Sequence, residues 1–163
     1  MRLPLLRRYR GSGGEGEEHG GEGLILATEG FIVRFLAPER EPLNFQAQEI
    51  MLPGSEGIFT VLQGHTPFLT MISPGMVQLV DLEGKEHFLA IRSGFCEVRN
   101  DAVIVLVEGF EAGKQIDLER AEAARDRALS RLEKPGSDID ISRAEAALAR
   151  ALARVDAHTR IEY

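Results

Sequence analysis

The sequence predicts an antiparallel β-sandwich followed by an antiparallel two-helix hairpin. Apolar runs of strand length recur through residues 25–110, with turn residues between them. At about residue 112 the composition shifts to alanine, leucine, arginine and glutamate, all strong helix formers. Pro135-Gly136-Ser137 then divides that C-terminal stretch in two.

Residues 1–24 read as a flexible leader, because their Gly and Glu content leaves too little apolar surface to offset the entropy of ordering. Four arginines stand near Leu3, Leu5 and Leu6, but the stretch lacks the apolar core of a secretion signal and the Ser-rich, acid-poor length of a transit peptide. Gly11-Ser12-Gly13-Gly14-Glu15-Gly16 has the spacing of a dinucleotide loop without the preceding strand, so the match is compositional.

Residues 25–112 form the expected sandwich. Val103–Val107 and Phe88–Ile91 are continuous apolar runs of the kind found in strands buried on both faces. Turn signals fall at Pro53-Gly54, Gly64, Pro74-Gly75, Glu83-Gly84 and Asn100-Asp101, the last two suiting tight hairpins. Residues 113–163 form the hairpin, with helices over 117–132 and 140–157 and with Asp117 and Asp140 at the N-cap positions. Ala121, Ala124, Ala128 and Leu132 share one helical face, and Ala144, Leu148, Ala151 and Val155 share another. The helices are therefore expected to pack through a seam of small residues. A buried methyl contributes only about 0.8 kcal/mol against roughly 1.5–3 for a buried Leu or Phe. Such a hairpin opens at low cost.

The net charge of −7 is confined to one region. The leader and residues 112–163 are each neutral, whereas residues 25–111 hold five basic and twelve acidic side chains. An acidic β domain argues against nucleic-acid binding. No apolar run approaches the roughly 20 residues of a spanning helix, which argues against direct membrane insertion. Cys96 stands alone, so no internal disulfide framework exists; its place in a strand reads as a small buried hydrophobe. His19, His65, His87 and His158 suit no metal site, and no catalytic constellation is present. His65, in a Gly-His-Thr-Pro turn, reads as an exposed contact residue.

The hairpin arginines are patterned. Arg120 and Arg127 lie two turns apart on one helical face, and Arg150 and Arg154 one turn apart on the other helix. With antiparallel packing, both pairs can converge on one anion. On spacing alone the commoner fate is surface pairing with Glu119, Glu122, Asp126 and Glu145.

Taken together, the motifs resemble a known family. Leu52-Pro53-Gly54-Ser55-Glu56-Gly57, Phe59, Val61, Gly64-His65-Thr66-Pro67, Pro74-Gly75, Gly94-Phe95 and Glu97-Val98 stand in the order found in epsilon subunits of F-type ATP synthase. The resemblance covers about residues 29–157 and implies a sandwich of about ten strands joined to a two-helix hairpin. It further implies a non-catalytic regulatory subunit of the central rotor stalk, peripheral on the cytoplasmic face of the inner membrane. The sandwich would contact the gamma subunit and the c-ring, with His65, Thr66 and Pro67 at that contact. The hairpin would either fold down or extend toward the alpha and beta subunits, where it blocks ATP hydrolysis.

Some members bind ATP through Ile/Leu-Asp-x-x-Arg-Ala, and Ile116-Asp117-Leu118-Glu119-Arg120-Ala121 matches that pattern. The resemblance thus implies ATP as a regulatory ligand, with no cofactor required, held by Glu111, Asp117, Arg120, Arg127, Arg150 and Arg154. The alternative reading is a free-standing ATP-sensing module.

Overall fold

The computed structural model describes residues 30–100, 102–133 and 140–162. The expected leader and the Pro135-Gly136-Ser137 turn lie outside the described residues.

Nine strands precede two helices among the described residues: β1 (Phe31–Leu36), β2 (Leu43–Gly54), β3 (Gly57–Leu62), β4 (Phe68–Ile72), β5 (Gly75–Asp81), β6 (Glu86–Ile91), β7 (Gly94–Arg99), β8 (Ala102–Val107), β9 (Phe110–Ala112), α1 (Leu118–Glu133) and α2 (Ile141–Thr159). The strands form a β-sandwich and the helices a C-terminal hairpin, as the sequence predicts. Strand order runs β1-β8-β7-β4-β2-β5-β6-β9, with β3 on β2. The long β2 also pairs with β1, so it links the two layers. All pairings are antiparallel except β1 with β8.

The core between the layers is built from large residues. Val33, Phe35, Ile50, Leu52, Val77, Leu79 and Val105 are completely buried. Their period-two spacing places each on the inner face of its strand. Burial of each contributes on the order of 1.5–3 kcal/mol. Cys96 is buried among them, which pushes its thiol up to about 12. The two expected hairpins have the backbone they require: φ is +81° at Gly84 and +47° at Asn100. Gly94 answers a different need, since a Cβ there would run into the backbone carbonyl of Leu106 on β8.

The two continuous apolar runs diverge. In β6, Leu89 and Ile91 enter the sandwich core while Phe88 and Ala90 are buried on the opposite face. That strand is buried on both sides, as expected. In β8, Val103, Val105 and Val107 face the core, but Leu106 is 52% exposed on the other side. The expectation for β8 is therefore corrected. The hairpin covers β5 and β6 and leaves the face carrying β8 open.

The α2 helix packs against β5, β6 and α1. Its buried residues are Ala144, Ala151, Ala153 and Ala157. Ala153 and Ala157 meet Phe88, Ala90, Ile116 and Ala121, with Met76, Val155 and Ile161 around them. The predicted α1–α2 seam is buried at Ala121, Ala128, Ala144 and Ala151 and half-buried at Ala124, Leu132, Leu148 and Val155. The second buried face of α2, toward the sheet, was not foreseen. Asp140 caps α2 by accepting the Arg143 N–H at 3.0 Å, and Asp117 caps α1 by accepting that of Arg120 at 3.0 Å.

Candidate functional site

Strand alternation builds one wall of the site. In β9, Phe110 stands opposite Ile91 and enters the core, while Glu111 stands opposite Ala90 on the face that meets the helices. Glu111 thereby reaches Arg154 of α2. The guanidinium donates to both carboxylate oxygens, with Nη2 at 2.8 Å and Nε at 3.1 Å. Among the described residues this is the ion pair that ties hairpin to sandwich. The Arg154 hydrogen bonds hold the Glu111 carboxyl below its usual range against partial burial, with Arg40 and Arg92 adding charge attraction. The same pair raises Arg154.

A cleft of about 580 Å³ opens beside this pair, between the sandwich edge and α1. Glu111, Asp117, Arg120, Arg127 and Arg154 all line it. Arg150 lines a smaller adjoining recess of about 90 Å³ that shares Glu111 and Arg154 with the cleft. The six residues that the resemblance implies for a nucleotide thus surround one region, with Arg150 one compartment removed. Asp117 also caps α1, so one of its oxygens is already engaged.

Two further arginines face the cleft, Arg40 and Arg92, and sequence reasoning missed both. They come from connections after β1 and β6, with no periodicity or motif to mark them. Five arginines against two carboxylates leave the lining three positive charges in excess. Such a wall suits a phosphate-bearing anion, because guanidinium forks match phosphate oxygens in geometry and charge. The volume falls in the range of small-molecule sites.

His65, Thr66 and Pro67 lie far along the chain from this cleft, in the exposed connection between β3 and β4. His65 Nδ1 lies 2.8 Å from the Thr66 carbonyl, which accepts. Its ring packs 5.0 Å from that of Phe68. Across the neighbouring strands, Met71 of β4 stands opposite Phe95 of β7, which stands opposite Leu106 of β8. With Leu69, these side chains are 49–70% exposed. They form an apolar stripe on the face away from the hairpin. Among the described residues no three potential metal ligands converge, and no helix is long and apolar enough to cross a membrane.

An acidic sandwich carrying a docked hairpin, with a cationic cleft between them, defines a two-part binding protein. The chain belongs to the ATP synthase delta/epsilon family. The family model described as the beta-sandwich domain of the ATP synthase Delta/Epsilon chain matches residues 30–113, and that described as its long alpha-helix domain matches residues 114–158. The chain is 47% identical over 106 residues to the ATP synthase epsilon chain of Desulfosudis oleivorans, covering 65% of this chain and 80% of that one. It is 38% identical over 102 residues to the corresponding chain of Microcystis aeruginosa, covering 63% and 73%. Its fold is similar to a chain in the Euglena gracilis mitochondrial ATP synthase assembly of OSCP, F1 and c-ring, with a TM-score of 0.66, 22% identity and 91% of each chain covered.

Proposed function

We propose that this protein is a non-catalytic regulatory subunit of the central stalk of a proton-translocating ATP synthase. The sandwich joins the gamma subunit and the c-ring on the cytoplasmic side of the membrane. The hairpin restrains ATP hydrolysis when it extends toward the alpha and beta subunits. ATP bound by Glu111, Asp117, Arg120, Arg127, Arg150 and Arg154 favours the docked, non-inhibitory arrangement.

The observation that carries the stalk assignment is the open apolar stripe of Leu69, Met71, Phe95 and Leu106. A contiguous exposed apolar surface of this kind marks a protein interface. It lies on strands beside the loop of His65, Thr66 and Pro67. A free-standing ATP sensor has no need of such a surface. The decisive experiment is co-purification with the gamma subunit from the same cells: wild-type chain is retained, and Met71→Lys with Leu106→Lys is not. Retention of the double variant at wild-type levels would sink the assignment.

The regulatory half rests on the cleft. A ligand that binds only the docked hairpin must shift the equilibrium toward it. Isothermal calorimetry on the full chain is expected to show ATP binding that Arg120→Ala with Arg127→Ala abolishes. Unchanged affinity would remove ATP from those residues.

A further inference from the structure

We propose that Arg40 and Arg92 make the cleft a receptor for a polyphosphate chain gripped from both sides, so that the anion itself clamps sandwich to hairpin. This rests on the nucleotide reading of the cleft but makes a separate claim. The phosphate chain, and not the nucleoside, is what bridges the two parts of the molecule.

The charge distribution is the first argument. The described sandwich strands and loops carry only Arg34, Arg40, Lys85, Arg92 and Arg99 as basic residues, against an acidic majority. Two of these five line this one cleft. They share its lining with Arg120 and Arg127 of α1 and Arg154 of α2, so the sandwich and both helices all contribute cations to it. Cations on two separately folded parts repel across the gap unless an anion lies between them.

Placement is the second. Both arginines have their stems fixed by the sandwich. The Arg40 guanidinium stands 5.6 Å from the centroid of the Phe110 ring, and Phe110 is itself buried in the core against Phe35. A cation over an aromatic face is attracted to it and held. The Arg92 N–H donates to the Gly109 carbonyl at 2.9 Å, and its side chain runs along Gly109, where a Cβ would lie 3.5 Å from Cδ and Nε. Among the described residues neither guanidinium is in an ion pair. Glu111, which lines the cleft with them, is already engaged by Nε and Nη2 of Arg154. The adjoining recess adds Glu108 as the further counter-charge and Arg150 as the further cation.

Chemistry then selects the ligand class. One phosphate can be forked by one or two arginines, but arginines contributed by the sandwich and both helices require several phosphoryl groups in a row. Adenine nitrogens and ribose oxygens accept hydrogen bonds but carry no negative charge, so they leave the cationic excess of the cleft uncompensated.

The test uses the full chain and inorganic tripolyphosphate, with ATP and AMP in parallel, by isothermal calorimetry. Wild type is expected to bind tripolyphosphate and ATP, and AMP far more weakly. Arg40→Gln with Arg92→Gln is expected to weaken tripolyphosphate by at least about tenfold, in keeping with loss of charge-assisted bonds. It is also expected to abolish the amide-exchange protection of α2 that tripolyphosphate confers. Arg34→Gln with Arg99→Gln removes the same charge away from the cleft and is expected to change neither. Both Arg40 and Arg92 are exposed, so their loss leaves the core intact. Equal binding by the Arg40/Arg92 variant and wild type overturns the proposal while leaving ATP binding standing. An equal loss in the Arg34/Arg99 control overturns it as well. Binding of tripolyphosphate without ATP removes the nucleotide reading and keeps the clamp.

Discussion

The two apolar interfaces of this protein differ in the size of what they bury. The sandwich core holds Phe35, Ile50, Leu52, Leu79 and Leu89. The interface under the hairpin holds Ala121, Ala153 and Ala157 against Phe88, Ala90 and Ile116. At about 0.8 kcal/mol per buried methyl, the second set stabilises far less per residue than the first. One region is a scaffold that opens only by global unfolding. The other is a contact that can be given up while the scaffold survives. A regulatory element needs that difference, because a ligand of ordinary affinity can move only an equilibrium that lies near balance.

The largest effect that tests this contrast belongs to the scaffold. Leu79→Ala should destabilise the whole protein by about 2–5 kcal/mol, through lost burial and the cavity left behind. Chemical denaturation followed by circular dichroism measures it. Cys96 supplies a local reporter. Burial pushes its thiol up to about 12, so alkylation at neutral pH is negligible until the sandwich opens. Leu79→Ala should speed that labelling. A scaffold that tolerated the change at no cost would not be the rigid partner the contrast requires.

Gly113 comes next. It follows β9 in a short 3-10 turn, and a Cβ there would strike the Ala157 carbonyl and the Ile161 side chain. Gly113→Ala should loosen the end of α2 from the sheet while Cys96 stays protected. Amide exchange in α2 should rise and alkylation should not. If both rose together, scaffold and hairpin would be one cooperative unit.

Much of this division was legible in the sequence. The Phe88–Ile91 run is apolar at every position because β6 has a core on each side. The alanine seam and both Asp caps follow from helical spacing and local hydrogen bonding. Val103–Val107 looks the same as β6 in sequence yet has an open outer face, because periodicity does not say what covers a face. Asp117 and the hairpin arginines stood out by capping and helical spacing, but spacing favoured surface pairing, and the ligand role, with Glu111, came only from a family pattern. Arg40 and Arg92 were not found at all. Each sits in an irregular connection, and only the tertiary fold brings them to the cleft.

The Glu111–Arg154 pair gives a smaller, pH-dependent effect. The docked carboxyl is held below its ordinary value of 4.5, chiefly by the Arg154 hydrogen bonds. The undocked form therefore binds a proton more readily than the docked one. The stabilisation is complete above pH 4.5 and is lost as pH falls through the lower docked value. Amide exchange in α2 should accelerate over that window in wild type and stay flat in Glu111→Gln. The same acceleration in the variant would assign the acid sensitivity to other carboxylates.

The smallest expected effect comes from an ion pair that touches neither interface. Arg125 and Asp126 pair at 2.9 Å on α1, with side chains 32% and 64% exposed. Both residues belong to the same helix, so the pair persists whether the hairpin is docked or open. It therefore cancels from the docking equilibrium. Exposed pairs of this kind also contribute little to stability, on the order of 0–1 kcal/mol. Arg125→Ala should leave α2 exchange unchanged, whereas Arg154→Ala should alter it. Comparable shifts from the two substitutions would mean that helix strength, and not contact with the sandwich, sets how the hairpin docks.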